Sequence, residues 1–324
     1  MRAIVVEKWC EPSDLVASEV EEPAIEPGTV KVRVRAAGVN FFDILMARGE
    51  YQVKPPFPFI PGGEVAGVVS ELGEGVRQFE VGDRVFGAPG LGGFAESVVM
   101  PARAAFPMPQ DMSFEHGAAL PIIYPTSYAG LVYRADLQSG ETLLVHAAAG
   151  GVGLAAVQIG KALGARVIAT AGGAEKLEVA RRSGADVLVD YREQDFVARV
   201  MEETDGRGAD VIYDSVGGDT FDRSTKCIAW NGRLLVVGFA GGRIPSIRAN
   251  RILLKNIAVT GVHWGAYARN EPARVPETFA ALFALYSDGR IRPEIFQTYP
   301  LEQLPEALEA LGSRRTHGKL IVTP

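Results

Sequence analysis

The chain has 324 residues, a length that predicts about two domains, each with enough volume for a core of its own. Hydrophobic residues make up 47% and charged residues 22%, and the net charge of −6 comes with no Lys/Arg run longer than two. That balance predicts an ordinary globular protein and argues against a nucleic-acid or anionic-membrane surface.

Two cysteines, Cys10 and Cys227, cannot build a disulfide framework or a multi-cysteine zinc site. The opening MRAIVVEKW carries a charge at position 2 and no apolar signal core, so a cytoplasmic location is expected. The most apolar stretch, Ala118 to Val132, is broken by Pro121 and Pro125, and predicts a buried helix pair rather than a membrane span.

Residues 1–120 alternate short β-like runs with Gly/Pro turns. Lys31-Val32-Arg33-Val34-Arg35 has strict period two, with valines toward a core and cations toward water. Val65–Val69 and Arg84–Phe86 follow, divided by Gly73, Gly75 and Gly82-Asp83, which reads as a small barrel. Asn40 and Asp43 are of the types that cap a helix, here one starting near Phe41, and Ser113 caps another with Glu115 in its first turn. Tyr51 lies among Gly49 and Pro55-Pro56, on a loop.

Residues 121–260 alternate strands and helices. The runs Leu143–His146, Arg166–Thr170, Asp186–Val189, Asp210–Tyr213, Arg233–Val237 and Asn256–Val262 read as strands; Glu175–Arg182 and Gln194–Glu203 read as helices. Six strands with intervening helices predict a doubly wound parallel sheet, with ligands beyond its carboxyl ends. Candidates there are Gly150 to Gly153, Ala171 to Lys176, Asp214 to Gly217 and Gly238-Phe239.

The stretch Gly140 to Lys161 organises the rest. Leu143-Leu144-Val145 runs into the small-residue turn Ala147-Ala148-Ala149-Gly150-Gly151-Val152-Gly153, and a helix follows. A dinucleotide pyrophosphate needs such a turn, because free N–H groups at the helix start meet phosphate and no side chain keeps it away. His146, just ahead of the turn, reads as a packed strand histidine. The strand ending at Thr170 has no carboxylate before Glu175, whereas an NAD site usually places an acid there; a 2′-phosphate would be tolerated and would need cations.

Gly140-Glu141, Leu144, Ala148 to Gly153, Gln158 and Lys161 together resemble the signature of quinone oxidoreductases (ζ-crystallin-like), the zinc-independent branch of the medium-chain dehydrogenase/reductase superfamily. The resemblance covers nearly the whole chain. It implies a GroES-like barrel at residues 1–120, a Rossmann NADP(H)-binding domain at 121–260, a return to the first domain at 261–324, and a homodimer. Zinc-dependent relatives carry a cysteine in the segment matching Ala36 to Asp43 and a Gly-His-Glu motif where this chain has Gly62-Gly63-Glu64, so no metal is expected. Glu64 is then a hydrogen-bonded partner within the fold.

The same resemblance sets Asn40 beside the nicotinamide, in competition with a purely capping role. Thr126 matches a family position near the nicotinamide, or else caps a helix. Lys176, Tyr191 and an arginine aligned to Arg314 are assigned to the NADP(H) phosphate, against a reading of Lys176 as a solvated helix-start lysine. Ala149, Gly150, Gly151, Val152, Gly153, Gly172, Ser215, Gly238 and Phe239 complete the cofactor set. A loop tyrosine such as Tyr51 could orient a carbonyl or donate a proton, or simply pack at the surface.

In residues 261–324, Leu304 with Glu306 to Leu311 gives a helical stripe and Lys319–Val322 a last strand. His263 and Trp264 are substrate contacts or packing. The apolar strand Ile257–Val262, if it lies at a sheet edge, invites a second subunit. The expectation is NADPH-dependent reduction of quinones or related α,β-unsaturated carbonyls. With no Lewis acid, a substrate already electrophilic is needed. The rivals are an enoyl-thioester (enoyl-CoA/ACP) reductase and an NADPH-binding structural or RNA-binding crystallin-like protein.

Overall fold

Alternation of apolar and polar residues sets the first strands, and a switch to helical spacing marks the middle of the chain. The computed structural model describes residues 1–324. In chain order, β1 (Arg2–Ile4), β2 (Ala17–Glu19) and β3 (Thr29–Val39) precede helix α1 (Phe41–Ala47). Next come β4 (Val65–Leu72), β5 (Arg84–Gly87), β6 (Ser97–Pro101), β7 (Ala105–Pro107), α2 (Phe114–Ala119) and α3 (Ile123–Tyr128). A π-helical turn, Ala129–Arg134, continues α3. Then follow β8 (Thr142–Val145), α4 (Gly151–Ala162), β9 (Arg166–Ala171), α5 (Ala174–Arg182), β10 (Val187–Asp190) and α6 (Phe196–Glu203). After them lie β11 (Ala209–Asp214), α7 (Gly218–Cys227), β12 (Ile228–Val236), α8 (Ala249–Lys255) and β13 (Ala258–Gly261). The chain ends with α9 (Tyr267–Asn270), α10 (Arg274–Ser287), β14 (Ile295–Pro300), α11 (Leu304–Gly312) and β15 (Lys319–Thr323).

These elements form two units, Met1–Ile122 with Pro293–Pro324, and Ile123–Arg292. In the first, a seven-stranded sheet has the order β14-β15-β3-β4-β5-β7, with β6 also paired to β3. Val32 and Val34 of β3 are buried while Arg33 and Arg35 are exposed, as period two requires. The last strand, β15, returns antiparallel to β3 with Leu320 opposite Val39. Ser113 caps α2, its hydroxyl accepting from the His116 N–H at 3.2 Å.

The second unit is a six-stranded parallel sheet in the order β10-β9-β8-β11-β12-β13. Its centre is dry: Leu144, Ile168, Ile212 and Leu234 are fully buried. The order reverses between β8 and β11, and in such sheets ligands gather outside the carboxyl ends near that reversal. No helix is long and apolar enough to cross a membrane.

Three expectations need correction. The chain returns to the first unit at Pro293 rather than at residue 261. The reason is that β13 completes the parallel sheet beside β12, and α10 buries Phe279, Leu282 and Tyr286 within the second unit. Strand β12 starts at Ile228, earlier than Arg233, because the turn signal at Asn231-Gly232 sits inside the strand with Asn231 at φ 62°. Strand β13 is shorter than expected, since Asn256 is spent as the left-handed C-cap of α8.

Candidate active site

The second unit presents the carboxyl ends of its strands as a row of turns. After β8, Ala147 takes φ 48° and Gly150 is the N-cap of α4. The N–H groups of Gly151, Val152 and Gly153 have no acceptor within the chain, and the first closed bond runs from Leu154 N to Gly150 O at 2.8 Å. Three free donors at the positive end of a twelve-residue helix make an anion site. A Cβ on Gly153 would lie 2.3 Å from Ala147 O, so glycine is what lets the helix start this close to the strand. The Ser127 hydroxyl of α3 braces the turn, 3.0 Å from Val152 O and 2.9 Å from the Tyr213 hydroxyl. Thr126, beside it, is half-buried in the body of α3, so the helix-cap alternative for Thr126 is set aside.

Strand β9 ends at Ala171, and β10 ends beside it with Asp190 opposite Ala171. That register brings Tyr191 and Arg192 to the Gly172-Gly173 turn, with Lys176 half-buried in the first turn of α5. After β11, the buried Asp214 carboxylate accepts from Val216 N at 2.8 Å and Gly217 N at 2.9 Å. Burial raises its pKa and those two N–H groups oppose the rise. This holds Ser215 against the loop after β12, where Ala240 N donates to Ser215 O at 3.1 Å. Gly238 and the exposed Phe239 therefore stand next to Ser215.

His146 is fully buried one residue past β8. Its Nδ1 lies 3.1 Å from the Thr170 hydroxyl and its Nε2 2.8 Å from that of Ser224. Ser224 donates its own proton to Thr220 O at 2.7 Å, so Nε2 carries the ring proton and Nδ1 accepts. Burial, with a contribution from Arg223, pushes the imidazole down to about 3. A neutral, fully bonded histidine is a packed strand residue, as its position suggests.

In the first unit, Asn40 is the N-cap of α1, and its backbone N–H donates to the Asp43 carboxylate at 2.8 Å. The Asn40 side chain does something else. Its amide donates to Glu64 Oε1 at 2.8 Å, and its Oδ1 accepts from Lys319 Nζ at 2.6 Å. Lys319 pairs with Glu64 at 2.5 Å, with the two side chains 3% and 0% exposed. Glu64 Oε2 accepts the Ile122 N–H at 2.9 Å, so every Glu64 oxygen is used inside the fold. Asp43 keeps a structural role, but burial, aided by the Glu64 charge and opposed by the Asn40 N–H and Lys319, raises its carboxyl to about 7. Tyr51 lies on a half-buried loop, its ring 5.5 Å from that of Phe42. Burial and the Asp43 charge raise its hydroxyl, which holds its proton at neutral pH. Arg314 is exposed in the turn after α11, with φ 57°.

Of the remaining expectations, Trp264 packs on Tyr267 at 5.3 Å and on Phe279 at 6.2 Å, while His263 is exposed. No cluster of three or more His, Cys, Asp or Glu side chains is arranged to hold a metal. Two residues escaped the sequence reading. Lys319 looks like a surface lysine opening an apolar strand, and Arg192 like a solvated loop cation. Only the pairing of β15 with β3, and of β10 with β9, reveals what each one faces.

Residues 26–110 match the alcohol dehydrogenase GroES-like domain and residues 151–285 the zinc-binding dehydrogenase model. With its GroES-like first unit and Rossmann second unit, the chain is a member of the medium-chain dehydrogenase/reductase superfamily. It is 42% identical over 90% of its length to a quinone oxidoreductase-like protein 2 homolog of Nematostella vectensis, covering 81% of that protein. It is 39% identical to the quinone oxidoreductase of Pseudomonas aeruginosa, covering 94% of each chain. Escherichia coli quinone oxidoreductase complexed with NADPH superposes with a TM-score of 0.91 at 35% identity over the full length of both chains. The chain belongs to the quinone oxidoreductase family.

Proposed function

We propose that this protein is an NADPH-dependent reductase of quinones or related α,β-unsaturated carbonyls that works without zinc. The observation that carries the reading is the pairing of two features in the second unit. Three unfilled N–H groups open α4 over a glycine turn, and β9 ends with no carboxylate while Lys176 and Tyr191 flank the next turn. The first feature suits a pyrophosphate, and the second suits a 2′-phosphorylated ribose over a plain one. These residues fit NADPH, as does the membership of a family whose E. coli member is complexed with NADPH.

In this reading the N–H groups of Gly151, Val152 and Gly153 hold the pyrophosphate, and Ala149, Gly150 and Gly172 keep side chains out of its way. Lys176 and Tyr191 hold the ribose phosphate, a role the resemblance also implies for Arg314. Ser215, Gly238, Phe239 and Thr126 line the rest of the dinucleotide. When bound, NADPH supplies a hydride to an electrophilic carbon of the substrate. The protein orients the reactants and excludes water. Asn40 serves at the nicotinamide with its amide fixed at both ends by Glu64 and Lys319. Tyr51, protonated at neutral pH, or solvent supplies the proton that the reduced substrate takes up.

Zinc independence is supported by the use of Glu64 in an internal ion pair. It is also supported at Gly63, where a Cβ would meet the Phe42 ring at 2.7 Å, so that a histidine ligand there would require the ring to move. A homodimer is supported by β13 at the sheet edge and by exposed Ile244, Leu253 and Leu254 in the segment leading to it. The unpaired Cys10 and Cys227 support a cytoplasmic location.

The test is NADPH oxidation by the pure protein with 1,4-benzoquinone and with crotonyl-CoA as parallel acceptors. Faster turnover of the quinone supports the proposal. A preference for crotonyl-CoA moves the protein to enoyl-thioester reduction, and tight NADPH binding with no turnover of either acceptor moves it to the non-enzymatic reading.

A further inference from the structure

Two cations, Lys176 and Arg314, were expected at the ribose phosphate; the fold brings a third. Strands β9 and β10 run parallel with Asp190 level with Ala171, so the residues just after each strand are neighbours. Asp190 then locks the two turns together. Its Oδ2 accepts the Gly173 N–H at 3.0 Å and its Oδ1 the Arg192 N–H at 3.0 Å. Tyr191 N donates to Ala171 O at 3.2 Å. The Asp190 carboxylate is thus engaged by a backbone donor on each oxygen.

Above the turn lies a guanidinium. A Cβ on Gly172 would stand 2.8 Å from Arg192 Nε and 2.7 Å from the Tyr191 hydroxyl, and one on Gly173 would stand 3.4 Å from an Arg192 terminal nitrogen. Arg192 is exposed, and its guanidinium bonds to no side chain of the protein. Other arginines of the unit also lack a carboxylate, Arg134 and Arg251 among them, but those two bond to Gly261 O and the Thr225 hydroxyl. A planar fork of donors with no anion, beside a phenol and over two bare glycines, suits a phosphate monoester.

We propose that Arg192 is a specificity-determining residue that binds the 2′-phosphate of NADPH and, with Tyr191, sets the preference over NADH. The proposal rests on the reading of this turn as the adenosine-ribose site. Asp190 bridges the two turns through its bonds to the Gly173 and Arg192 N–H groups, which keeps Arg192 beside Gly172.

The test measures dissociation constants of the unmodified protein and of Arg192→Ala and Arg192→Lys for NADPH and NADH, by quenching of intrinsic fluorescence. Arg192→Ala is expected to weaken NADPH binding about tenfold to a hundredfold while moving NADH less than about twofold. Arg192→Lys restores charge but not the fork, so it should recover only part of the loss. Below pH 6 the phosphate gains a proton, and the advantage of the unmodified protein over Arg192→Ala should shrink. If Arg192→Ala keeps the full NADPH preference, or loses both dinucleotides equally, the role of Arg192 is wrong while the phosphate site stands. If the unmodified protein itself binds both dinucleotides equally, the phosphate-site reading fails along with it.

Discussion

The Glu64–Lys319 pair makes a stability prediction that follows directly from its burial. Replacing Lys319 with Met leaves the Glu64 carboxylate, 0% exposed, with only the Asn40 amide and the Ile122 N–H as donors. It also strips Asn40 Oδ1 of its donor at 2.6 Å. Breaking a buried pair from one side costs about 3–5 kcal/mol, because a charge stays behind without a partner. Removing both charges costs far less, so Glu64→Gln with Lys319→Met should recover most of the loss and unfold within about 1–2 kcal/mol of the parent. The assay is urea unfolding in a Trp230→Phe, Trp264→Phe background. This leaves Trp9, which packs on Phe57 at 4.5 Å, as the reporter of the first unit. At a slope near 2 kcal/mol per molar, the single variant should lower the midpoint by about 2 M. A shift under about 0.5 M, or a double variant no more stable than the single, would refute the account of this pair.

Further outcomes are expected elsewhere. Gly153→Ala should destabilise the second unit by about 1–3 kcal/mol and abolish dinucleotide binding, since its Cβ would press on Ala147 O at 2.3 Å; calorimetry and a binding titration check both. His146 is held neutral with its folded pKa near 3, below the ordinary value of 6.5. A depressed histidine contributes stability above pH 6.5 that is lost as pH falls toward 3. His146→Gln should therefore escape up to about 3 kcal/mol of the parent's loss between pH 7 and 4.5, read from paired unfolding curves. An equal loss in both proteins would contradict it. Charging the edge segment with Leu253→Glu and Leu254→Glu, two side chains 77% and 73% exposed, should abolish the proposed homodimer in sedimentation while circular dichroism still reports a folded subunit.

The parts of this molecule that were legible in the sequence are those written in local pattern. The inner strands and the glycine turn declare themselves because a buried parallel strand must be apolar and a phosphate-binding turn must be bare. Capping by Ser113 follows from a neighbour close along the chain, and the apolar run Leu143–Val145 marks His146 as buried, although its partners Thr170 and Ser224 come from distant elements. Lys319 is different. Its partners Glu64 and Asn40 meet it only because β15 lies antiparallel to β3, and a lysine at a strand start gives no sign of burial. Arg192 was hidden in the same way, by a register between two parallel strands. The boundary at Pro293 was missed because α10 has an apolar face that either unit could have covered.

The central claim is a zinc-free reductase that prefers NADPH, and one measurement reaches it directly. Purified protein, dialysed against a chelator, is given 1,4-benzoquinone with NADPH and with NADH, and kcat/KM is taken for each. The account predicts that activity survives chelation and that NADPH is favoured by about tenfold or more, the worth of one charged hydrogen bond to the phosphate. Activity that returns only with added zinc, or equal use of the two dinucleotides, would contradict it.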